Sequence, residues 1–241
     1  MGKTVVILQS NYLPWRGYFD LIHDADIFVF YDDVQYTVND WRNRNKIVAN
    51  NRLMWLTVPV YSDIKKSIDE IGIAGDKYNW QKKHWGTIVQ FYGKAPFFAE
   101  YKEWFEEVYV KMTWDRLAIL NQYLIIRISR LLGIKTEFVN ARDLAVSGGK
   151  TERLVNIVKH CNASTYISGL AAKAYLDENL FYLNNIELRY KDYEGYPQYP
   201  QFQQKFESGV SIIDLLFHVG KNAPYYIWEW RNENNPQFIR E

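Results

Sequence analysis

Two short apolar runs, residues 4–8 and 27–31, with Pro14 and Gly17 breaking the chain between them, constrain this sequence more than any other feature. The first is too uniformly apolar for a half-exposed strand and short enough to be a central parallel one, buried on both faces. The turn at Pro14 and Gly17 leads into a short helix over 18–23. The segment is therefore a βαβ unit, right-handed and with parallel strands. Loops leaving such strands lie at the carboxyl edge of the sheet, where α/β folds bind ligands. Residues 9–18 and 32–44 are those loops, and both are dense in polar and aromatic groups.

A third apolar run over 53–58 stops at Pro59, whose missing amide suits a strand end or an edge. Asn50 and Asn51 ahead of it read as a tight turn, so residues 42–58 form an appended antiparallel hairpin. The middle of the chain reads as helices: 77–92, then 97–110 opened by Pro96, then 114–132 with Thr113 as N-cap and Gly133 as terminator. Leu117, Leu120, Leu124, Ile128 and Leu131 form one core stripe on the last of these. Strand and helix then alternate: strand 135–139, helix 151–161, strand 165–167, helix 171–176, strand 187–190, with a capped amphipathic helix at 211–218. The fold class expected is α/β, a mostly parallel sheet flanked by helices, with an inserted helical lobe and an appended β-hairpin. One domain over 1–241 is expected, with 1–60 and 134–220 as its α/β core and 77–132 as a lid or side lobe.

A chain of 241 residues can bury a substantial core. Lys plus Arg number 29 against 28 Asp plus Glu, so no general field draws in bulk nucleic acid or an anionic membrane; a local phosphate pocket remains compatible. Cys161 is the single cysteine, which excludes an internal disulfide and fits a reducing cytoplasm. The sequence enters its first strand without a signal-type apolar stretch and contains no apolar span of membrane-crossing length. A cytoplasmic protein without membrane insertion is expected. Aromatic residues make up 17% of the chain, with Tyr 19 and Trp 9, and suit polar ring-shaped ligands and a packed core alike.

In the first loop, Asn11, Tyr12, Trp15, Arg16, Gly17 and Tyr18 bridge a strand to a helix. Backbone amides and the positive helix end face whatever sits there, and Arg16 adds a bidentate anion donor. A phosphate or carboxylate is the natural guest; a rigid corner packed on Trp15 and Tyr18 is the structural alternative. Asp32 and Asp33 end the second strand and point in different directions, so only one faces a cleft. That carboxylate holds Mg²⁺, takes a proton from an amine or bonds a ribose hydroxyl, unless it caps a turn. Gln35, Tyr36, Trp41, Asn43 and Arg44 form a donor cluster with an aromatic wall, fit to grip a diphosphate or sugar hydroxyls, or else a solvated strand edge.

Residues 147–151, Ser-Gly-Gly-Lys-Thr, open a helix, but Leu144 stands where a P-loop needs glycine. Helix capping is favoured there over phosphate contact. Ser168 and Gly169 join another strand to a helix at the same edge, with Lys173 one turn in. Tyr199, Pro200 and Gln201 belong to an ordered loop that shapes a pocket wall. His23, His84, His160 and His218 lack metal-ligand spacing, and Cys161 has no neighbouring base.

Taken together, Gln9, Tyr12, Pro14, Trp15, Gly17, Tyr18, Phe19, the stretch 32–36, Trp41, Asn43, Arg44, the run 55–59, Ile167, Ser168, Gly169, the stretch 199–201 and residues 211–217 resemble the WbqC-like family. The match covers nearly the whole chain; His218 departs from it, where Asn is expected. The resemblance implies a bacterial protein encoded among O-antigen and other surface-polysaccharide genes, a group sometimes labelled glycine transferases. More distantly, the strand, the turn over 11–18 and the helix are similar to the HxGH turn of nucleotidylyltransferases and of adenylate-forming ligases, which implies a HUP-like sheet. Trp15 and Tyr18 then stand in the places of the two histidines. Indole N–H and phenol O–H donate hydrogen bonds but carry no imidazolium charge, which weakens phosphate transfer and leaves nucleotide-sugar binding.

The activity this resemblance implies is attachment of a small acyl group, glycyl or aminoacyl, to the amino group of a nucleotide-linked deoxyamino sugar. Its cleft would lie among residues 10–18, 32–44 and 168–173. Arg16 and Arg44 would bind the diphosphate, Trp15 and Trp41 would flank a ring, and Asp33, with Asp32 next, would accept the amine proton. A free-acid donor needs ATP with Mg²⁺, whereas an aminoacyl-tRNA or thioester does not; the sequence leaves the donor open. A non-catalytic nucleotide-sugar or glycan binding protein and a nucleotidylyltransferase-like enzyme are the alternatives.

Overall fold

The computed structural model describes residues 2–75 and 79–233. Its five-stranded sheet runs β5-β2-β1-β6-β7, every neighbouring pair parallel. The strands are β1 (Lys3–Leu8), β2 (Ile27–Phe30), β5 (Glu137–Asn140), β6 (Ala163–Gly169) and β7 (Glu187–Lys191). The chain winds outward from β1 through helix α1 (Arg16–His23) to β2 and then β5. It returns through helix α5 (Lys150–His160) to β6 on the other side of β1, and through helix α6 (Glu178–Leu183) to β7. The direction of winding reverses between β1 and β6. At such a reversal the loops on either side part and leave a crevice.

Uniformly apolar strands are explained by cover on both faces. Val5, Ile7, Ile27, Val29 and Tyr166 pack with Leu154, Val155, Ile157 and Val158 of α5. Val6, Phe28, Phe30 and Ile167 point the other way, into a larger cluster built from α1 and the helices that follow the hairpin. Those helices are α2 (Trp80–Tyr92), α3 (Phe98–Glu106) and α4 (Leu117–Leu131), joined by α7 (Ile212–Val219) from the end of the chain. Residues 80–131 thus supply one covering layer of the sheet. Among the described residues no helix is long and apolar enough to cross a membrane.

Strands β3 (Arg44–Ala49) and β4 (Arg52–Thr57) form the separate antiparallel hairpin read from the sequence. Asn50 and Asn51 turn it at φ +50° and +58°, the left-handed pair that a two-residue hairpin loop requires. Its place is fixed by the β1–α1 turn. Asn45 Nδ2 donates to the Leu13 carbonyl at 2.7 Å and Tyr12 N donates to the Trp41 carbonyl at 3.0 Å.

Some boundaries differ from expectation, each for a local reason. The expected 77–92 helix begins at Trp80, and residues 77 and 78 lie outside the described residues. The 97–110 helix ends as a π turn over Glu107–Lys111, which Trp114 Nε1 closes by donating to the Val108 carbonyl at 3.0 Å. With Trp114 drawn back there, Thr113 does not cap α4, which starts at Leu117 after an extended Arg116. Leu117, Leu120, Leu124 and Ile128 are fully buried as expected, but Leu131 is half exposed and Leu132 takes its place in the core. Gly133, at φ +78°, ends the helix as read: its amide donates to the Arg130 carbonyl and the Ile134 amide to that of Ser129. The 171–176 segment is a 3₁₀ turn over Leu170–Ala174, and the helix before β7 is α6, capped by Asp177.

Candidate ligand-binding site

A hollow of about 500 Å³ opens at the carboxyl ends of β1 and β6, where the winding reverses. Gln9 contributes from just past β1, Tyr31 from just past β2, Ser168 from β6, and Lys150 and Thr151 from the start of α5, with exposed Tyr175 at the side. The first amides of an α-helix lack intrahelical partners and carry the positive end of its dipole. Gly149, extended at φ −107° and ψ 144°, precedes the first turn, where its own amide donates to the Glu152 carboxylate at 3.4 Å and the Glu152 amide donates back to the Gly149 carbonyl at 3.0 Å. Lys150 stands at φ +45°, a conformation uncommon for a side-chain-bearing residue, and among the described residues it is the one charged residue lining the hollow. Thr151 Oγ1 accepts from the Asp177 amide at 3.1 Å, which holds the α6 segment beside the opening. Tyr166 reaches Ser168 Oγ at 3.4 Å, and burial keeps its phenol protonated well above the ordinary range. The result is a polar, positively biased recess with aromatic sides, suited to an anion bearing a ring.

A second hollow, of about 400 Å³, lies between the β1–α1 turn and the hairpin. Asn11, Trp15, Trp41, Lys46 and Glu207 line it. Arg42 joins the two hollows: it donates from Nη2 to Gln9 Oε1 at 2.7 Å and from Nη1 to Asn11 Oδ1 at 2.9 Å. The single cleft expected among residues 10–18, 32–44 and 168–173 is therefore divided, with Ser168 in one part and Asn11, Trp15 and Trp41 in the other.

Several expected ligand contacts are turned inward. Arg16 is buried, donating from Nη1 to the carbonyls of Pro197 (2.8 Å) and Tyr226 (3.1 Å), with its guanidinium 4.7 Å over the Tyr196 ring. No solvent-borne diphosphate reaches it. The end of α1 is closed as well, because the Ile212 amide donates to the Pro14 carbonyl at 2.9 Å and Trp15 bridges to Ser211. The helix start that lines the first hollow is that of α5. Tyr12 is fully buried, its hydroxyl between His84 Nδ1 (2.9 Å) and Tyr109. Tyr18 is buried and donates to the Gln9 carbonyl at 2.9 Å. Gly17 is where Trp15 folds over the backbone; a Cβ there would stand 2.3 Å from the indole. Trp15 itself packs on Tyr193 and Tyr196, so neither it nor Tyr18 faces the first hollow as the histidines of an HxGH turn would.

The two aspartates line neither hollow. Asp32 is buried, accepting from the Ser10 amide at 2.7 Å and Gln122 Nε2 at 2.8 Å, and desolvation raises its carboxyl above the ordinary value against those bonds. Asp33 pairs with Arg153 of α5, whose guanidinium lies 5.0 Å over the Tyr31 ring. Asp33 and Gln35 border a shallow surface depression with Lys65, Lys66 and Arg142. Asn43 is buried and donates to the Val58 carbonyl, while Arg44 stacks 4.4 Å over Trp55 and bonds the Asn39 carbonyl. Gly169 is half-buried at the end of β6, and exposed Lys173 sits 5.9 Å from the Tyr190 ring. Gln201 braces its own loop, bonding Asp214 Oδ1 and both the amide and the carbonyl of Glu207.

Lys150 and Thr151, which line the first hollow, lie in the segment whose sequence favours helix capping over phosphate contact. The signal was there in the Gly148-Gly149-Lys150-Thr151 run, but P-loop spacing was the wrong template for a helix that starts this way.

The WbqC-like protein family matches residues 9–226. An uncharacterized protein of Mycobacterium tuberculosis, Rv1507c, is 44% identical over 227 residues, covering 93% of this chain and 97% of its own. No solved structure gives a significant match.

Proposed function

The chain belongs to the WbqC-like protein family, and on that premise we propose that it binds a nucleotide-linked amino sugar in the β1/β6 hollow and acylates the sugar's amine during surface-polysaccharide assembly. One observation carries the binding half: the reversal of winding at β1 and β6 coincides with the start of α5, Lys150 and the Thr151 and Ser168 hydroxyls. Phosphate oxygens fit the α5 end and Lys150, while Tyr31 and Tyr175 offer faces to a base or sugar.

In the transfer, the free amine attacks the acyl carbonyl carbon, a C–N bond forms, and the bond from that carbon to the donor's leaving group breaks. The proton lost by the amine goes to a carboxylate. Asp33 is the proposed acceptor, and taking that role means parting from Arg153. The donor is a thioester, an aminoacyl-tRNA or an adenylate made from a free acid and ATP. Among the described residues the lining of the first hollow presents no carboxylate oxygen to a metal, so that donor set does not fit a protein-held Mg²⁺. Magnesium would arrive on the phosphates of ATP.

Calorimetry with a uridine-diphosphate amino sugar tests the binding half. Lys150→Ala is expected to weaken binding by about tenfold. Mass spectrometry of that nucleotide sugar after incubation with each donor class tests the transfer. Asp33→Asn is expected to abolish the mass gain and spare binding; unchanged turnover removes Asp33 from the mechanism. Binding with no mass gain from any donor favours the second reading, a non-catalytic nucleotide-sugar or glycan binding protein. That neither aspartate lines the hollow supports that alternative.

A further inference from the structure

The second hollow is not a continuation of the first. No lining residue is common to the two, and the Arg42 bridge stands between them. At its rim Trp41 is 42% exposed, tilted against an equally exposed Trp55 with ring centroids 5.4 Å apart. A part-exposed indole pair beside a recess is costly in water and is a binding surface for flat, weakly polar faces.

The polar groups around it restrict the guest. Lys46 Nζ lies 5.8 Å from the Trp41 ring and 5.1 Å from Trp55, with no ion-pair partner among the described residues. Asn11 gives its carbonyl oxygen to Arg42, and its amide N–H groups make no hydrogen bond among the described residues. Glu207 offers carboxylate oxygens, one of them accepting from the Gly209 amide at 3.3 Å. Donors and acceptor surround an aromatic floor. A phosphate would meet the Glu207 charge, and a wholly apolar guest would strip water from Lys46 and Glu207 without replacing it. A ring with C–H groups on its faces and hydroxyls at its edge meets every one of these groups.

We propose that the hollow formed by Trp41, Asn11, Lys46 and Glu207 is a second binding site, for the pyranose ring of a saccharide that carries no phosphate. The ring lies on Trp41, its hydroxyls accept from Asn11 and Lys46, and one donates to Glu207. Trp15, fixed by Tyr193 and Tyr196, forms the back wall.

Saturation-transfer NMR on the intact chain with glucose, glucosamine and N-acetylglucosamine tests this directly. At least one sugar is expected to show saturation at its ring protons with millimolar affinity. Trp41→Ala should weaken that signal's affinity by about tenfold or more, and Trp41→Phe should restore much of it. Thermal melting of each variant checks folding; the exposure of Trp41 leaves the core intact. Lys150→Ala, at the other hollow, should leave sugar affinity unchanged. No transfer from any of the three sugars overturns the proposal, as does transfer undiminished by Trp41→Ala or lost in Lys150→Ala. Because these probes carry no phosphate, failure here leaves the nucleotide-sugar test untouched, and the reverse also holds.

Discussion

His84 shows how a polar side chain can be structural and still set a pH limit. Its Nε2 is 3.1 Å from the Thr57 carbonyl, which can only accept, so Nε2 carries the proton. Nδ1 is then the acceptor for the Tyr12 hydroxyl, and the Tyr109 hydroxyl donates in turn to Tyr12. Burial pushes the imidazole pKa down from 6.5 to about 4. A base whose folded pKa is depressed is neutral in the native state over a range in which the unfolded chain takes up a proton. Its contribution is complete above pH 6.5 and is lost as pH falls toward 4, a loss of about 3 kcal/mol for a shift of this size. Urea midpoints at pH 7 and pH 4 should therefore converge in His84→Gln, whose amide can keep both hydrogen bonds. An equal acid loss in variant and wild type would show that His84 is not the group responsible. Nothing in the sequence distinguished this Tyr12 from a ligand contact. Its partners are 72 and 97 positions away, and side-chain direction in the turn depends on them.

At the scale of elements, the strands and the hairpin were legible because their signals are local. Residues 4–8 and 27–31 are apolar on both faces, and the structure covers both faces. Asn50 and Asn51 are residues that tolerate left-handed backbone, and both adopt it. Asn50→Val should cost about 1–2 kcal/mol, since a β-branched side chain resists positive φ. Asn51→Gly should hold stability or raise it by a few tenths of a kcal/mol. Urea unfolding reads both; a neutral Asn50→Val would mean that the turn does not set the register. The start of α4 was not legible for the opposite reason. Thr113 looks like an N-cap, but Trp114 Nε1 is held by Val108 and the Asp115 carbonyl by the Ile73 amide, so tertiary bonds delay the helix to Leu117. The inward Arg16 is a similar case: the carbonyls it serves belong to Pro197 and Tyr226, and no local pattern predicts them.

At the scale of the whole molecule, the strand order decides where a ligand goes, and order is a long-range property. Alternation in the sequence implied a parallel sheet, but not that β6 would lie beside β1 and place the opening at α5. What the two hollows then have in common is Arg42, with one hydrogen bond to Gln9 in the lining of the first and one to Asn11 in the lining of the second. Both bonds come from one rigid guanidinium, so a ligand that pulls Gln9 changes the position from which Asn11 is held. If both hollows are sites, their occupants are thermodynamically linked, and the linkage must be reciprocal. Saturating the first hollow with uridine monophosphate should shift the affinity of the second for a monosaccharide by about fivefold. The sugar should shift nucleotide affinity by the same factor. Arg42→Met keeps the length and most of the volume of the side chain but removes both donors, and it should bring that factor to one while each ligand still binds alone. Calorimetric titration of each ligand in the presence and absence of the other measures the factor in both directions. Equal affinities in wild type would mean that Arg42 only stiffens the edge of the sheet, and a shift that survives in Arg42→Met would place the connection elsewhere.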